Sequence, residues 1–448
     1  MFAKVILTIT EGTLKGQEFI FDSRTTCIIG RSPDCNPKLP DDEAHRTISR
    51  YHCLLDINPP DIRVRDFGSR NGTFVNGTKI GQRQPEQTPE EGAKLTFPEY
   101  DLKPNDEIQL GDTVFQVSIE EVSEFKVNKP GLNISSVGKI ELSENVQQLV
   151  QQANAGKSDL LSIQGYSILR ELGEGGFGAV YLARHNETKE EVALKIMLPA
   201  VASNPEITER FLREIDNTQA LNHPNIIKLL NSGYYNGIFF FTLEYCDGGT
   251  VFDLMQRRGG RLSIDEAISI IMQVLDGLEY AHQADIPYVK LADGNFGRGR
   301  GLVHRDLKPS NIFITNINGD RTAKIADYGL AKAFDQAGLS GQTRSGTKAG
   351  TPVFMPRQQV INFKYAKPEV DIWATVACLY FMLTGAFPRN FVGDPFLAVL
   401  QTNAVPIRER DASIPKQLAE LIDQALVDKP EIYFKDAASF KQALSGVL

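Results

Sequence analysis

The sequence lacks most features that would place it outside the ordinary globular class. No apolar run approaches the ~18–20 residues of a membrane span. The five cysteines (Cys27, Cys35, Cys53, Cys246, Cys378) are odd in number, scattered and without a C-x-x-C pair. That argues against a disulfide framework or a thiolate zinc site and suits reduced thiols in a cytoplasmic protein. The six histidines show no metal-ligand spacing. Positive charge is not in excess: the formal net charge is −8 and the sequence pI about 5.5, a balance that opposes nucleic-acid binding. The N-terminal "MFAKVILTITEG" has neither a signal-peptide apolar region nor a cleavage site and reads as a first strand.

What is present divides by texture. The 448 residues leave room for two or three domains with sizeable cores. Residues 3–119 alternate apolar and polar in short runs such as "KVILTIT", "HCLLDI" and "TVFQVSIE", broken by Gly, Asn, Asp and Pro. This predicts an antiparallel β-sandwich. Residues 120–160 are turn-rich, with one amphipathic stretch, "SENVQQLVQQANAG", for which Ser143 is the N-cap and Gly156 the residue beyond the C-terminus. From Tyr166 onward short strands come first, then helical patterns such as "AISIIMQVLDGLEYAHQ" and "DIWATVACLYFMLTG" that are apolar over wide faces.

Chemistry concentrates in this last region. "LGEGGFGAVYLARH" spaces Gly173, Gly175 and Gly178 as G-x-G-x-x-G. Alone, that spacing also fits dinucleotide-binding folds and ordinary glycine turns. "EVALKIM" then sets Lys195 inside an apolar strand, and a helical face of Ile207, Phe211, Glu214, Ile215 and Thr218 carries a carboxylate within an apolar stripe. A buried carboxylate needs a partner, and Lys195 is the natural one. "LVHRDLKPSNIFI" and "KIADYGLAK" follow.

Together these strings resemble a eukaryotic-type (Hanks-type) Ser/Thr protein kinase of bacterial texture. The resemblance implies that Gly173, Gly175, Gly178 and Val180 cover the phosphates and base of ATP, and that Lys195, held by Glu214, contacts the α- and β-phosphates. Asp306 would orient the substrate hydroxyl, Lys308 would neutralise the moving phosphoryl group, and Asn311 and Asp327 would hold magnesium. "FTLEYCDGG" would be the hinge, with Leu243 as gatekeeper and Glu244 to Cys246 offering backbone groups to adenine. Cys246 reads as a small hinge residue, since nothing beside it in sequence lowers a thiol pKa. The demanded types fit the reaction. Charge developing on three oxygens calls for cations and amides, and magnesium calls for Asp and Asn oxygens. Arg305, before Asp306, resembles the arginine of kinases switched by phosphorylation, with Thr343, Ser345 and Thr347 as candidate sites and Thr351 expected to meet Asp306 and Lys308.

The N-terminal strings "IIGRSPDCN", "ISRYHCLL" and "DFGSRNGTFVNG" resemble the forkhead-associated (FHA) domain, a sandwich whose loops read phosphothreonine. By that resemblance Arg31 and Ser49 grip the phosphate and Arg50, Arg70 and Asn71 line the same surface, while His52, Gly30 and Gly72 are architectural. A guanidinium fork and a hydroxyl on loop ends of a rigid sandwich suit that ligand.

The expected architecture is therefore multidomain: an all-β FHA sandwich (1–120), a linker with a short helix (121–165), and a bilobal α+β kinase (166–448), with lobes 166–244 and 249–448. Expected partners are ATP, Mg2+, protein substrates and phosphothreonine proteins. They include the chain's own activation segment, because the linker from Ile119 to Ile168 contains no threonine. The competing reading is a pseudokinase scaffold in which the FHA module does the work. A nucleic-acid module has only the Arg/Gly-containing insert "QADIPYVKLADGNFGRGRGLV" behind it. That insert makes the joint between His282 and His304 too long for the family; with Lys290, Arg298 and Arg300 it is either a docking element or disordered. Finally, "GTPVFMPRQQV" departs from the family's A-P-E. Aligned without gaps, Gln358 replaces the Glu and Tyr433 its arginine partner, a neutral pair in place of a charged one. A gap would put Arg357 there instead, with no named partner.

Overall fold

The computed structural model describes residues 2–122, 162–197, 215–328 and 352–448, apart from 23–24, 34, 93–94, 96, 164, 176–177, 236–237, 291–295, 318–319, 362–365 and 393. The stretch expected to form the Ser143–Gly156 helix lies outside the described residues.

The N-terminal strands are β1 (Phe2–Glu11), β2 (Glu18–Phe21), β3 (Thr25–Ile29), β4 (Cys53–Asn58), β5 (Asp61–Asp66), β6 (Thr73–Val75), β7 (Thr78–Gly81), β8 (Tyr100–Leu102), β9 (Glu107–Leu110) and β10 (Thr113–Val122). They form two antiparallel sheets, β2-β1-β10-β9-β6-β7 and β3-β4-β5-β8, as the alternating pattern predicts. Cross-strand pairing puts Leu7 opposite Val117 and Ile9 opposite Phe115. These side chains meet Cys27, Ile29, Cys53, Leu55 and Val64 of the second sheet in one core.

Simple alternation fails in β3 and β4. Cys27-Ile28-Ile29 and Cys53-Leu54-Leu55 are apolar on both faces of the sheet. Ile28 and Leu54 point away from the sandwich core and join Cys35 and Phe67 in a cluster with Met355, Val360, Leu397 and Leu400 of the C-terminal domain. The outer face is thus covered, and two-sided apolar strands are what a doubly covered sheet requires. Arg65 of β5 completes this contact. Its guanidinium carbon lies 5.4 Å from the Phe67 ring centroid and 5.8 Å from that of Phe396. Its Nη1 is 2.6 Å from Asp394 Oδ2, with the two side chains 5% and 3% exposed. The other Asp394 oxygen caps the helix Pro395–Gln401, accepting from Phe396 N–H at 2.9 Å and Leu397 N–H at 3.2 Å.

The C-terminal domain begins with a third antiparallel sheet, β11-β12-β13-β14-β16-β15. Its strands are β11 (Ser162–Ile163), β12 (Tyr166–Gly175), β13 (Gly178–His185), β14 (Glu191–Met197), β15 (Leu229–Tyr235) and β16 (Ile238–Glu244). A larger, mainly helical lobe follows. Helix Ile264–Ala281 starts at Ser263, whose hydroxyl accepts from Glu266 N–H at 3.3 Å, and buries Ala267, Ile271, Val274, Leu275 and Leu278 at three- and four-residue steps. It packs on helix Glu369–Thr384, which is buried around nearly its whole circumference and so forms the centre of the lobe. That helix stops at Gly385, whose φ of 68° is the left-handed turn that favours glycine. The insert between His282 and His304 forms a hairpin, β17 (Asp285–Lys290) with β18 (Phe296–Arg300), and β19 (Ile312–Ile317) pairs with β20 (Asp320–Ile325).

Candidate active site

The central helix fixes the candidate catalytic loop. Asp371, fully buried, accepts from the backbone N–H groups of His304 and Arg305, both at 2.8 Å, and contacts His282 Nε2 at 2.8 Å. Burial pushes the Asp371 carboxyl up, but His282, His304 and the Arg305 N–H outweigh it and hold the group below the usual carboxylate range. Arg305 sits at φ 67°, a strained turn stabilised by that carboxylate and by Gln359, whose Nε2 donates to Arg305 O at 2.5 Å. Asp306 N–H donates to His304 Nδ1 at 3.2 Å, so His304 Nε2 carries the proton and donates to Ala326 O at 2.7 Å.

Four of the candidate residues converge beyond this frame. Lys308 Nζ lies 2.9 Å from Asp306 Oδ2. Asn311 Nδ2 donates to Asp306 O at 2.8 Å and to Asp306 Oδ2 at 3.1 Å. Ala326 N–H donates to Asn311 O at 2.8 Å, which brings the neighbouring Asp327, at φ 58°, to the same place. Asp327 Oδ1 is 3.7 Å from Lys195 Nζ. Lys195 is reached from the other lobe: in β14 it pairs with Val180 on one side and Phe241 on the other, and its ammonium lies 5.7 Å from the Phe241 ring centroid. Val180 in turn faces Gly173, and Gly175 faces Gly178 across the glycine hairpin. Among the described residues nothing lies within 4 Å of where a Cβ on Gly173 would sit. Glu214, Thr343, Ser345, Thr347 and Thr351 lie outside the described residues.

At the expected hinge, Glu244 ends β16 and its carboxylate meets Lys324 Nζ at 2.9 Å. Cys246 is buried, and burial pushes its thiol up to about 12, the opposite of what a reactive thiol needs.

The N-terminal candidates also share one surface. Arg31 Nε donates to Ile48 O at 2.6 Å, and its Nη1 pairs with the exposed Asp41. Ser49 Oγ accepts from Arg70 N–H at 3.0 Å, and Asn71 Nδ2 donates to Thr47 O at 2.6 Å. Arg50, Arg70 and Asn71 are exposed. Beneath them His52, fully buried, accepts Ser49 N–H on Nδ1 at 3.0 Å and meets Gly72 O from Nε2 at 3.0 Å. A buried network not anticipated from sequence holds the loop between them: Ser69 and Thr73 hydroxyls each donate to Asp66 Oδ2 at 2.6 Å. The spacing D-x-x-S-x-x-x-T was legible, but only the fold shows that these groups converge.

The A-P-E departure resolves against the ungapped reading. Gln358 does not meet Tyr433: its Nε2 donates to Asp428 O at 2.7 Å, while Tyr433 is 51% exposed against Phe434. Arg357 is the buried residue, and Asp428 is its partner. Arg357 also donates to Leu400 O at 3.0 Å and Thr402 O at 2.5 Å, and Arg389 Nη2 reaches the second Asp428 oxygen at 2.5 Å. A charged tie is therefore kept with its polarity reversed, which the gapped alignment accommodates. Burial explains the choice, since an arginine here needs a carboxylate and several carbonyls, and Asp428, Leu400 and Thr402 supply them.

Comparison with known proteins gives the same two regions. A model of the protein kinase domain matches residues 166–432, and a model of the FHA domain matches residues 27–111. A probable serine/threonine-protein kinase of Clostridium perfringens is 31% identical over 267 residues, 59% of this chain and 36% of that protein. The serine/threonine-protein kinase Pkn1 of Myxococcus xanthus is 30% identical over 286 residues, 63% of this chain and 38% of that protein. The chain thus spans well under half the length of these curated relatives. The crystal structure of the Mycobacterium tuberculosis PknI kinase domain aligns with 64% of this chain and 98% of its own at 24% identity, with a TM-score of 0.47.

Proposed function

The chain belongs to the protein kinase family, and from that premise we propose that it transfers the γ-phosphoryl group of ATP to serine or threonine hydroxyls of proteins, with its FHA domain selecting phosphothreonine-bearing partners. The observation that carries the first half is the cluster of Asp306, Lys308 and Asn311 facing Asp327 and Lys195. In this reading Asp306 orients the acceptor hydroxyl and takes its proton late, Lys308 neutralises the transferring group, and Lys195 holds phosphate oxygens. The donor set fits magnesium. Asn311 spends its amide N–H on Asp306, which leaves its oxygen as a hard donor, and with the Asp327 carboxylate it would hold the ion. Magnesium held there would supply positive charge against the phosphates.

Radiolabelled phosphate transfer to a generic protein substrate tests this against the scaffold reading. Asp306→Asn should lower the rate by roughly 10²-fold or more; no transfer by the unsubstituted chain would favour a scaffold.

The second half rests on Arg31, Ser49, Arg70 and Asn71 sharing one loop surface. Asp41 now occupies Arg31, and a phosphate would compete for that guanidinium. Candidate ligands include the chain's own segment around Thr343 and Thr347. A phosphothreonine peptide spanning 340–350 should bind the full chain and lose affinity with Arg31→Ala. Absence of binding removes self-recognition and leaves partner recognition to be tested with other phosphothreonine peptides.

A further inference from the structure

The inserted hairpin β17–β18 leaves and re-enters the chain at two functional places. Its first strand follows helix Ile264–Ala281 almost directly, and its second runs within a few residues into His304 and the catalytic loop. Its base is fastened to the large lobe. Gly301 N–H donates to Ala284 O at 2.8 Å, Leu302 N–H to Ala281 O at 2.9 Å, and Arg300 Nε to Gln283 O at 3.1 Å. Ile286 is fully buried in the lobe core. Gly301 has φ 86°, and a Cβ there would lie 2.6 Å from His282 O, so the return path tolerates only glycine.

The hairpin ladder is interrupted where it matters. Ile286 pairs with Gly299 and Val289 with Gly297, with a register shift between them, so Tyr288 is freed from the ladder. Both of its backbone groups turn to one side chain. Asn217 Nδ2 donates to Tyr288 O at 2.9 Å, and Tyr288 N–H donates to Asn217 Oδ1 at 2.9 Å. Asn217 is 2% exposed. Only a carboxamide supplies a donor and an acceptor together in this way. The next residue, Thr218, is 4% exposed and donates from Oγ1 to Tyr328 O at 2.8 Å. Tyr328 directly follows Asp327, and its ring packs edge-on to His304 at 4.8 Å. Residues 215–219 are helical, so both contacts belong to one short rigid piece.

We infer that Asn217 is a positioning residue for the phosphotransfer site. The bulged hairpin acts as a strut from the large lobe, and through Asn217 and Thr218 it sets Tyr328 and hence the Asp327 carboxylate opposite Lys195. The closed path runs from the catalytic loop through hairpin, helix and Tyr328 back to His304. The insert is thereby assigned a role within this chain and not that of a partner-docking arm. This inference rests on the kinase reading, and it also makes a claim about local order that holds whether or not transfer is observed.

The test uses the full chain with Asn217→Asp and Asn217→Ala. Aspartate keeps the volume and the acceptor but faces Tyr288 O with an oxygen, so it separates hydrogen bonding from packing. Both variants should raise the KM for ATP severalfold and lower kcat by about tenfold, the equivalent of roughly one buried hydrogen bond. The KM for the protein substrate should stay within about twofold. Amide hydrogen exchange at residues 325–328 should accelerate in both. A lower fraction of folded enzyme would reduce kcat alone and leave the KM for ATP unchanged. If Asn217→Asp matches the unsubstituted chain in exchange at 325–328, the inference is overturned whatever the activity. Unchanged exchange together with normal transfer overturns it while leaving the kinase reading standing.

Discussion

Arg65→Met and Asp394→Asn, made singly and together, probe the contact between the two domains. Each side chain is almost wholly buried, and the closest approach is 2.6 Å. Methionine keeps the apolar stem between Phe67 and Phe396, and asparagine remains an N-cap for Pro395–Gln401, so packing and capping change little. What each single substitution does is strand the other charge. Glu99 lies 3.8 Å from Arg65 but is half exposed, at 52%, and cannot replace a buried partner. Stranding one member of a buried pair costs roughly 3–5 kcal/mol, whereas removing both charges is close to neutral. The double variant should therefore be more stable than either single one, with a coupling of about 3 kcal/mol. Urea unfolding followed by Trp373, the one tryptophan of the chain, gives the cycle, and hydrogen exchange at Phe396 and Leu397 reports the docked face directly. Additivity within about 0.5 kcal/mol, or unchanged exchange in the single variants, would refute a docked arrangement held by this pair.

Two further outcomes follow from buried titratable groups elsewhere. Asp428→Asn leaves both Arg357 and Arg389 without a carboxylate, so it should lower stability by about 3–5 kcal/mol. It should cost more than Arg357→Gln, which leaves Arg389 paired; thermal unfolding of the two variants ranks them. Burial holds the His52 imidazole below its ordinary value, against the upward pull of Asp66 and Gly72 O. The unfolded chain takes up this proton near pH 6.5 while the folded chain resists until lower pH. Stability of the N-terminal domain is thus fullest above about pH 6.5 and falls as pH drops toward the folded value. Protonated Nδ1 would also oppose Ser49 N–H, so affinity for a phosphothreonine peptide should fall over the same range, and His52→Gln should flatten both profiles in titration calorimetry and unfolding.

Much of the architecture could be read from local pattern, because a period of two and a period near 3.6 are imposed by backbone geometry wherever one face is buried. The alternation of β1, the apolar-faced helix in "AISIIMQVLDGLEYAHQ" and the ordered strings from Gly173 to Asp327 needed no tertiary information to be recognised. Other features had signals that were ambiguous until folded. The triplets Cys27-Ile28-Ile29 and Cys53-Leu54-Leu55 announce burial on both faces, but not by what. The D-I-W of the central helix looks like one more apolar turn until Asp371 is seen holding the His304 and Arg305 amides.

The sequence by itself determined which chemistry-bearing types are present and in what order: the G-x-G-x-x-G glycines, one strand lysine, and the Asp-Lys-Asn and Asp-Tyr-Gly strings, with an arginine and a serine on sandwich loops. Those follow from short-range spacing, and spacing is written in the chain. Tertiary structure decided the long-range partnerships. It paired Arg357 with Asp428 and not Gln358 with Tyr433, placed Arg65 against Asp394, and turned an oversized insert into a hairpin held by Asn217. The cost of a buried charge or amide depends on what lies opposite it, often far away in sequence, and only folding brings that group near.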